Sequence, residues 1–205
     1  MNPKHIKTAL LHLKKDKGLR SVIKKHGAPV FTKREAFPAL VSAIIYQQLS
    51  GKAAGTIHRR FLALYKPKKH PKPEDVLKTR ATKFASVGIS RQKREYLKDL
   101  SRKFLDGTIL PKQFPKMTDE EIREHLIRVK GIGVWTADMF LMFTLHRPDV
   151  LPTGDLGIQK GFQKLFGLKK MPTPQKMERL AESWRPHRTI ASWYLWRITD
   201  TDWDG

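Results

Sequence analysis

The chain has 205 residues and a formal charge of +22, from 41 lysines and arginines against 19 aspartates and glutamates. It has no cysteine, which excludes a disulfide scaffold, a cysteine-held iron–sulfur cluster, a zinc ribbon and a thiol nucleophile. An imbalance this large points to a polyanionic partner, nucleic acid first.

The start, MNPKHIKTALLHLKKDKGLR, lacks the continuous apolar core of a signal peptide. Residues 4–15 read as a short basic amphipathic helix. REAFPALVSAIIYQQLS (34–50) reads as a largely buried helix, and GKAAGTIHRRFLALY (51–65) as a second one capped by Ser50. The proline- and lysine-rich KPKKHPKPED (66–75) is the best candidate for a hinge between lobes. Small helices are expected near 74–79 and 81–86, the second ending at Gly88. SRQKREYLKDLSRKFLDG (90–107) carries Ser90 as its cap and Gly107 as its stop. TDEEIREHLIRV opens with a Thr118-x-x-Glu121 capping box, and an apolar helix to about Leu145 follows a Gly-x-Gly turn. That apolar run, VWTADMFLMFTL, is too short to cross a bilayer and carries Asp138. Helices are expected from Asp155, from Thr173–Pro174 to about Trp184, and from about Pro186 through IASWYLWRI. Period-two alternation is scarce while 3.6-residue periodicity recurs, so the expected class is all-α, an orthogonal bundle of about ten helices. An intracellular protein without a membrane partner, monomeric, is expected.

The turn in VKGIGVWTADMF has two readings. Gly131 and Gly133 can adopt positive φ and clear the approach path, so that amides at the mouth of the next helix cradle a phosphate. A plain connection with two packing glycines has the same local pattern. Asp155 likewise is either a helix N-cap or a catalytic carboxylate, with Asp138 as the rival acid. Trp193 and Trp196 read as core.

Three ordered blocks weigh on these choices. IRVKGIGVWTADMF…RPDVLPTGDLGIQKGF resembles the helix–hairpin–helix DNA glycosylases, within them the 3-methyladenine DNA glycosylase II group. AIIYQQLSGKAAGTI is similar to that group's DNA-wedge segment, and ESWRPHRTIASWYLWR to its C-terminal signature. The resemblance covers roughly residues 35–200. It implies a single glycosylase domain over 1–205 with two lobes, a helix–hairpin–helix motif at about 118–145 and an active-site cleft between the lobes. It further implies double-stranded DNA with damaged bases as the partner, and excision of alkylated purines of the 3-methyladenine and 7-methylguanine type. About a hundred residues of N-terminal β domain, present in longer bacterial members, have no counterpart in this sequence.

Residue by residue, the resemblance implies Asp155 as the catalytic aspartate, about twenty positions beyond the hairpin. Bifunctional members, which also cut the strand, place a catalytic lysine where this chain has Trp135. An indole cannot form a Schiff base, so a monofunctional enzyme is implied. Tyr46, Trp135, Met139, Trp184 and His187 are the base-pocket candidates, Met139 and His187 departing from the aromatic residues usual there. Trp184 could equally be a core aromatic, while for Trp135 and Leu49 a core position is the lesser alternative. Gln48 and Leu49 match the plug that fills the gap left by a flipped base. Lys52, Lys130 and Lys160 are candidate phosphate contacts, each with a plain surface lysine as its alternative, and Gly131, Gly133 and Thr136 complete the DNA-binding candidates. No cofactor is required, though the Val129 and Ile132 carbonyls are implied ligands of a sodium or potassium ion. The rival functions are a non-catalytic DNA-binding module and a glycosylase for uracil, hypoxanthine or mismatched thymine.

Overall fold

The computed structural model describes residues 1–199, which are helical and contain no strand among them. Contacts divide the chain into two units. A terminal unit combines Met1–Lys33 with the chain from Leu141 onward, and an inserted unit spans Arg34–Phe140. The expected hinge at 66–75 therefore lies inside the inserted unit, and the chain changes unit after Lys33 and after Phe140 instead.

The inserted unit starts with α3 (Ala36–Tyr46) and α4 (Gly51–Ala63), after α1 (Pro3–Leu13) and α2 (Lys17–His26) of the terminal unit. α2 was not anticipated from the sequence. Its start is capped by the Asp16 carboxylate on the Leu19 amide, and Gly27 at φ +68° ends it. α3 stops at Tyr46, short of the expected 34–50 span. α5 (Pro73–Lys78), α6 (Ala81–Ser86) and α7 (Arg91–Leu105) follow, then a 3-10 turn at Pro111–Lys116 and α8 (Asp119–Ile127). α9 (Val134–Phe143) carries the chain back. Ser90 and Thr118 cap α7 and α8 as expected, Thr118 in a reciprocal box with Glu121. Buried Leu40, Ile44, Phe61, Phe84, Leu97 and Ile122 mark this unit's core, with α7 packed on α3, α5 and α6.

In the terminal unit, α10 (Leu156–Leu165), α11 (Pro174–Leu180), a 3-10 turn at Glu182–Trp184 and α12 (Arg188–Ile198) complete the fold. α12 packs against α10, α1 and α2. Leu13, Leu19, Ile158, Phe162, Trp184 and Leu195 are buried there. Asp149 ties the start of α12 to the preceding loop, receiving the Arg188 guanidinium at 2.8 Å and the Arg185 guanidinium at 2.8 Å. No helix among the described residues is long and apolar enough to cross a membrane.

Candidate nucleic-acid interface and active site

The hairpin between α8 and α9 is held from behind. Gly131 sits at φ +83°, and a Cβ there would lie 2.2 Å from the Tyr96 ring on α7. Both conformation and space demand glycine at that position. Gly133 is different. It is not among the positive-φ glycines, and a Cβ built on it meets nothing within 4 Å. The expectation that both glycines need positive φ is corrected to Gly131 alone. The Ile132 amide donates to the Val129 carbonyl (3.0 Å), tightening the turn, and both side chains are buried.

Asp99 on α7 anchors this turn by accepting the Lys130 amide at 2.8 Å. Burial raises the Asp99 pKa, but the Lys130 amide, Lys103 and Arg102 outweigh it and hold the carboxyl below its ordinary value. The Gln47 side-chain amide donates to the Gly131 carbonyl at 2.7 Å, joining the α3–α4 junction to the hairpin. Lys93 donates to the Ile45 and Gln47 carbonyls at 2.6 and 2.7 Å, which satisfies main-chain acceptors at the end of α3.

The proposed plug stands at that junction. Gln48 has φ +56°, rare for a residue with a Cβ, and Leu49 is 39% exposed, so the core-leucine reading of Leu49 does not hold. Ser50 caps α4 through the Ala53 amide. Tyr46 is exposed too and meets His58 edge-on, at 5.9 Å between ring centres. Burial, with His70 adding to it, lowers the His58 pKa. Lys52 and Lys130 are exposed, as the phosphate reading requires.

Along α9, Trp135 is 41% exposed, which rules out a wholly core position. Met139 and Thr136 are buried, so Thr136 stands apart from the exposed lysines with which it was grouped. Asp138 is buried and receives the Arg123 guanidinium at 2.7 Å. Burial raises its pKa despite that partner.

In the terminal unit Asp155 does cap α10, accepting the Ile158 amide on Oδ1 at 2.8 Å. The same oxygen accepts the Trp196 indole N–H at 2.8 Å. Both residues are buried. Trp184, expected in the base pocket, is instead a core residue. It is 1% exposed, stacks on Phe162 and Phe166, and donates its indole N–H to Asp16 at 2.9 Å. His187 is also buried, ring-to-ring with His5 and His12 on α1. Burial and then these two histidines lower its pKa. Lys160 is exposed on α10. No group of three or more histidine, aspartate or glutamate side chains among the described residues is arranged for a metal ion.

Sequence reading missed Gln47, Lys93, Tyr96 and Asp99, which act across distances of 31 to 84 positions that no local spacing reveals, the Lys130–Asp99 contact spanning 31 and Gln47–Gly131 spanning 84. Trp196, read as core, is buried as expected, and its indole N–H in addition meets Asp155.

Residues 41–186 match the HhH-GPD superfamily of base excision DNA repair proteins. The DNA-3-methyladenine glycosylase 1 of Schizosaccharomyces pombe is 36% identical over 82% of this chain and 74% of its own length. A solved S. pombe 3-methyladenine DNA glycosylase in complex with abasic DNA superposes with a TM-score of 0.83 at 32% identity, covering 94% of this chain and 96% of that one. The DNA-3-methyladenine glycosidase of Bacillus halodurans superposes with a TM-score of 0.82 at 32% identity, covering 98% and 90%.

Proposed function

As the chain belongs to the HhH-GPD superfamily of base excision DNA repair proteins, we propose that it is a monofunctional DNA glycosylase that flips alkylated purines out of double-stranded DNA and hydrolyses their glycosidic bond. The substrates are bases of the 3-methyladenine and 7-methylguanine type. Such a base carries positive charge, so when the bond from C1′ to the ring nitrogen breaks it leaves neutral with the electron pair. The sugar becomes oxocarbenium-like, water adds to C1′, and a proton is released from that water.

Asp155 carries the catalysis. Its carboxylate stabilises the developing cation and orients or deprotonates the water. The observation that supports this best is the placement of the Asp155 carboxylate, buried at the head of α10 and fixed there by the Ile158 amide and the Trp196 indole, while Asp138 is engaged by Arg123. Trp135 and Tyr46 supply electron-rich faces, each worth about 0.5–2 kcal/mol toward a cationic base. Gln48 and Leu49 fill the vacated stack, and Lys52, Lys130, Lys160 and the hairpin amides hold phosphates. The Val129 and Ile132 carbonyls are neutral oxygen donors suited to an alkali ion. The Val129 oxygen keeps one lone pair after accepting the Ile132 amide, and such an ion would supply positive charge beside a phosphate.

Oligonucleotides each carrying one defined lesion test the reading. Release of 7-methylguanine and 3-methyladenine, an intact abasic strand and no borohydride-trapped adduct are expected. Release of uracil or hypoxanthine alone would move the substrate class, binding without release of any base would make the chain a non-catalytic module, and a trapped adduct would end the monofunctional assignment.

A further inference from the structure

We propose that Trp196 is the positioning residue for the hydrolytic carboxylate, and that Gly157 is glycine because a side chain there would break the contact between them. This rests on the reading of Asp155 as the catalytic aspartate.

Capping α10 requires one bond, from the Ile158 amide to Asp155 Oδ1. The Trp196 indole adds a second donor to that same oxygen, at 2.8 Å and out of solvent. Two donors converging on one oxygen select the carboxylate's rotamer and fix its plane. An indole donates but carries no charge. Trp196 therefore holds Asp155 still without neutralising it, whereas Arg123 both holds and compensates Asp138. A carboxylate fixed in one rotamer is what a developing oxocarbenium requires.

The local sequence is built around this contact. A Cβ on Gly157 would lie 2.7 Å from Trp196 Cδ1, 3.0 Å from its Nε1 and 3.1 Å from Asp155 Oδ1. Its backbone is not in the left-handed region, so space and not conformation demands glycine. One turn on, a Cβ at Gly161 would lie 2.7 Å from the Leu195 carbonyl oxygen. Glycine is a poor helix former, yet two stand in the ten-residue α10. They leave a groove into which the Leu195–Trp196 step of α12 settles.

Trp196→Phe keeps an aromatic ring beside Phe143 and removes the N–H donor together with part of the buried ring volume. Single-turnover release of 7-methylguanine should fall about 10- to 100-fold, with affinity for an abasic-site duplex unchanged. In the Asp155→Asn background the same substitution should add nothing, a result that a merely structural tryptophan would not give. The indole N–H proton resonance of Trp196 should also move upfield when Asp155→Asn removes the charge it donates to. Should Trp196→Phe fail to fold, Gly157→Ala with that resonance decides: lost release and a shifted signal support the contact, and normal release overturns it. An inactive Asp155→Asn beside a fully active, folded Trp196→Phe overturns this proposal alone. An active Asp155→Asn overturns the catalytic reading and this proposal together.

Discussion

At the hairpin the anchoring bonds end on main-chain atoms, while at Asp155 they end on a side chain. Asp99 takes the Lys130 amide, Gln47 reaches the Gly131 carbonyl, and Lys93 holds two carbonyls at the end of α3, next to the proposed plug. The groups facing outward there, Leu49, Trp135 and Lys130, stand on a backbone fixed from the rear. Asp155 is buried and its carboxylate is clamped directly. The difference fits the two tasks proposed for these regions. Gripping a repeating phosphate chain needs a well-placed backbone and tolerates mobile side chains. Hydrolysis needs one charge in one rotamer.

The sharpest test of that contrast is a pair of isosteric changes. Asp155→Asn should cut base release on the order of 100-fold or more while duplex binding persists. Asp138→Asn should instead lower thermal stability, by about 1–3 kcal/mol, because it weakens a charged hydrogen bond to Arg123. If Asp138→Asn is the inactive one and Asp155→Asn turns over normally, the roles of the two acids are reversed.

Next in size is the turn. Gly131→Ala puts a methyl group into Tyr96 at a left-handed position, costing about 2–4 kcal/mol. It should weaken binding to damaged and undamaged duplex alike, and Gly133→Ala should leave both affinities near wild type. Equal effects in a binding titration would mean that the turn is not held from the Tyr96 side. The Asp99 anchor is depressed in pKa, so its contribution is present above the ordinary carboxylate pKa of about 3.9 and fades as pH falls through the folded value. At neutral pH the tether is complete.

Leu49→Ala should reduce lesion extrusion more than general DNA affinity, because Leu49 is exposed and supports little of the core. A fluorescent base opposite the lesion reports the unstacking, and an unaltered signal with unaltered excision removes the plug role. Smallest of all, Lys130→Ala should change the salt dependence of binding by about one unit of log–log slope. A much larger loss would mean that this side chain, and not the backbone behind it, carries the grip.

The helices were legible where a cap and a period coincide. Ser50, Ser90, Thr118 and Asp155 each accept the predicted amide. α2 escaped because its apolar face consists of little more than Leu19 and Ile23 amid lysines. The early stop of α3 was hidden for another reason. Lys93, from a helix far along the chain, satisfies its last carbonyls, and nothing within 34–50 signals that. At the site, Asp155 as candidate carboxylate and Gln48–Leu49 as candidate plug could be picked out from their motifs, but Trp184 and Trp196 could not be told apart. Both are buried indoles with a carboxylate acceptor, and only coordinates show that one meets Asp16 and the other Asp155. Gly157 and Gly161 lie in the quoted motif, yet their purpose depends on Trp196 and Leu195 of α12, far along the chain.

The terminal unit is stitched from the two ends of the chain. His12 meets the Ser183 carbonyl, Trp184 meets Asp16, and Tyr194 meets the Gly27 carbonyl, across 171, 168 and 167 positions. On a ribosome adding about 5–20 residues per second, the first two helices wait roughly 10–30 s for these partners. The inserted unit is continuous in sequence and can close during that interval. Synthesis therefore completes the hairpin before Asp155 acquires Trp196, so the order in which the chain emerges separates the two sets of anchoring bonds.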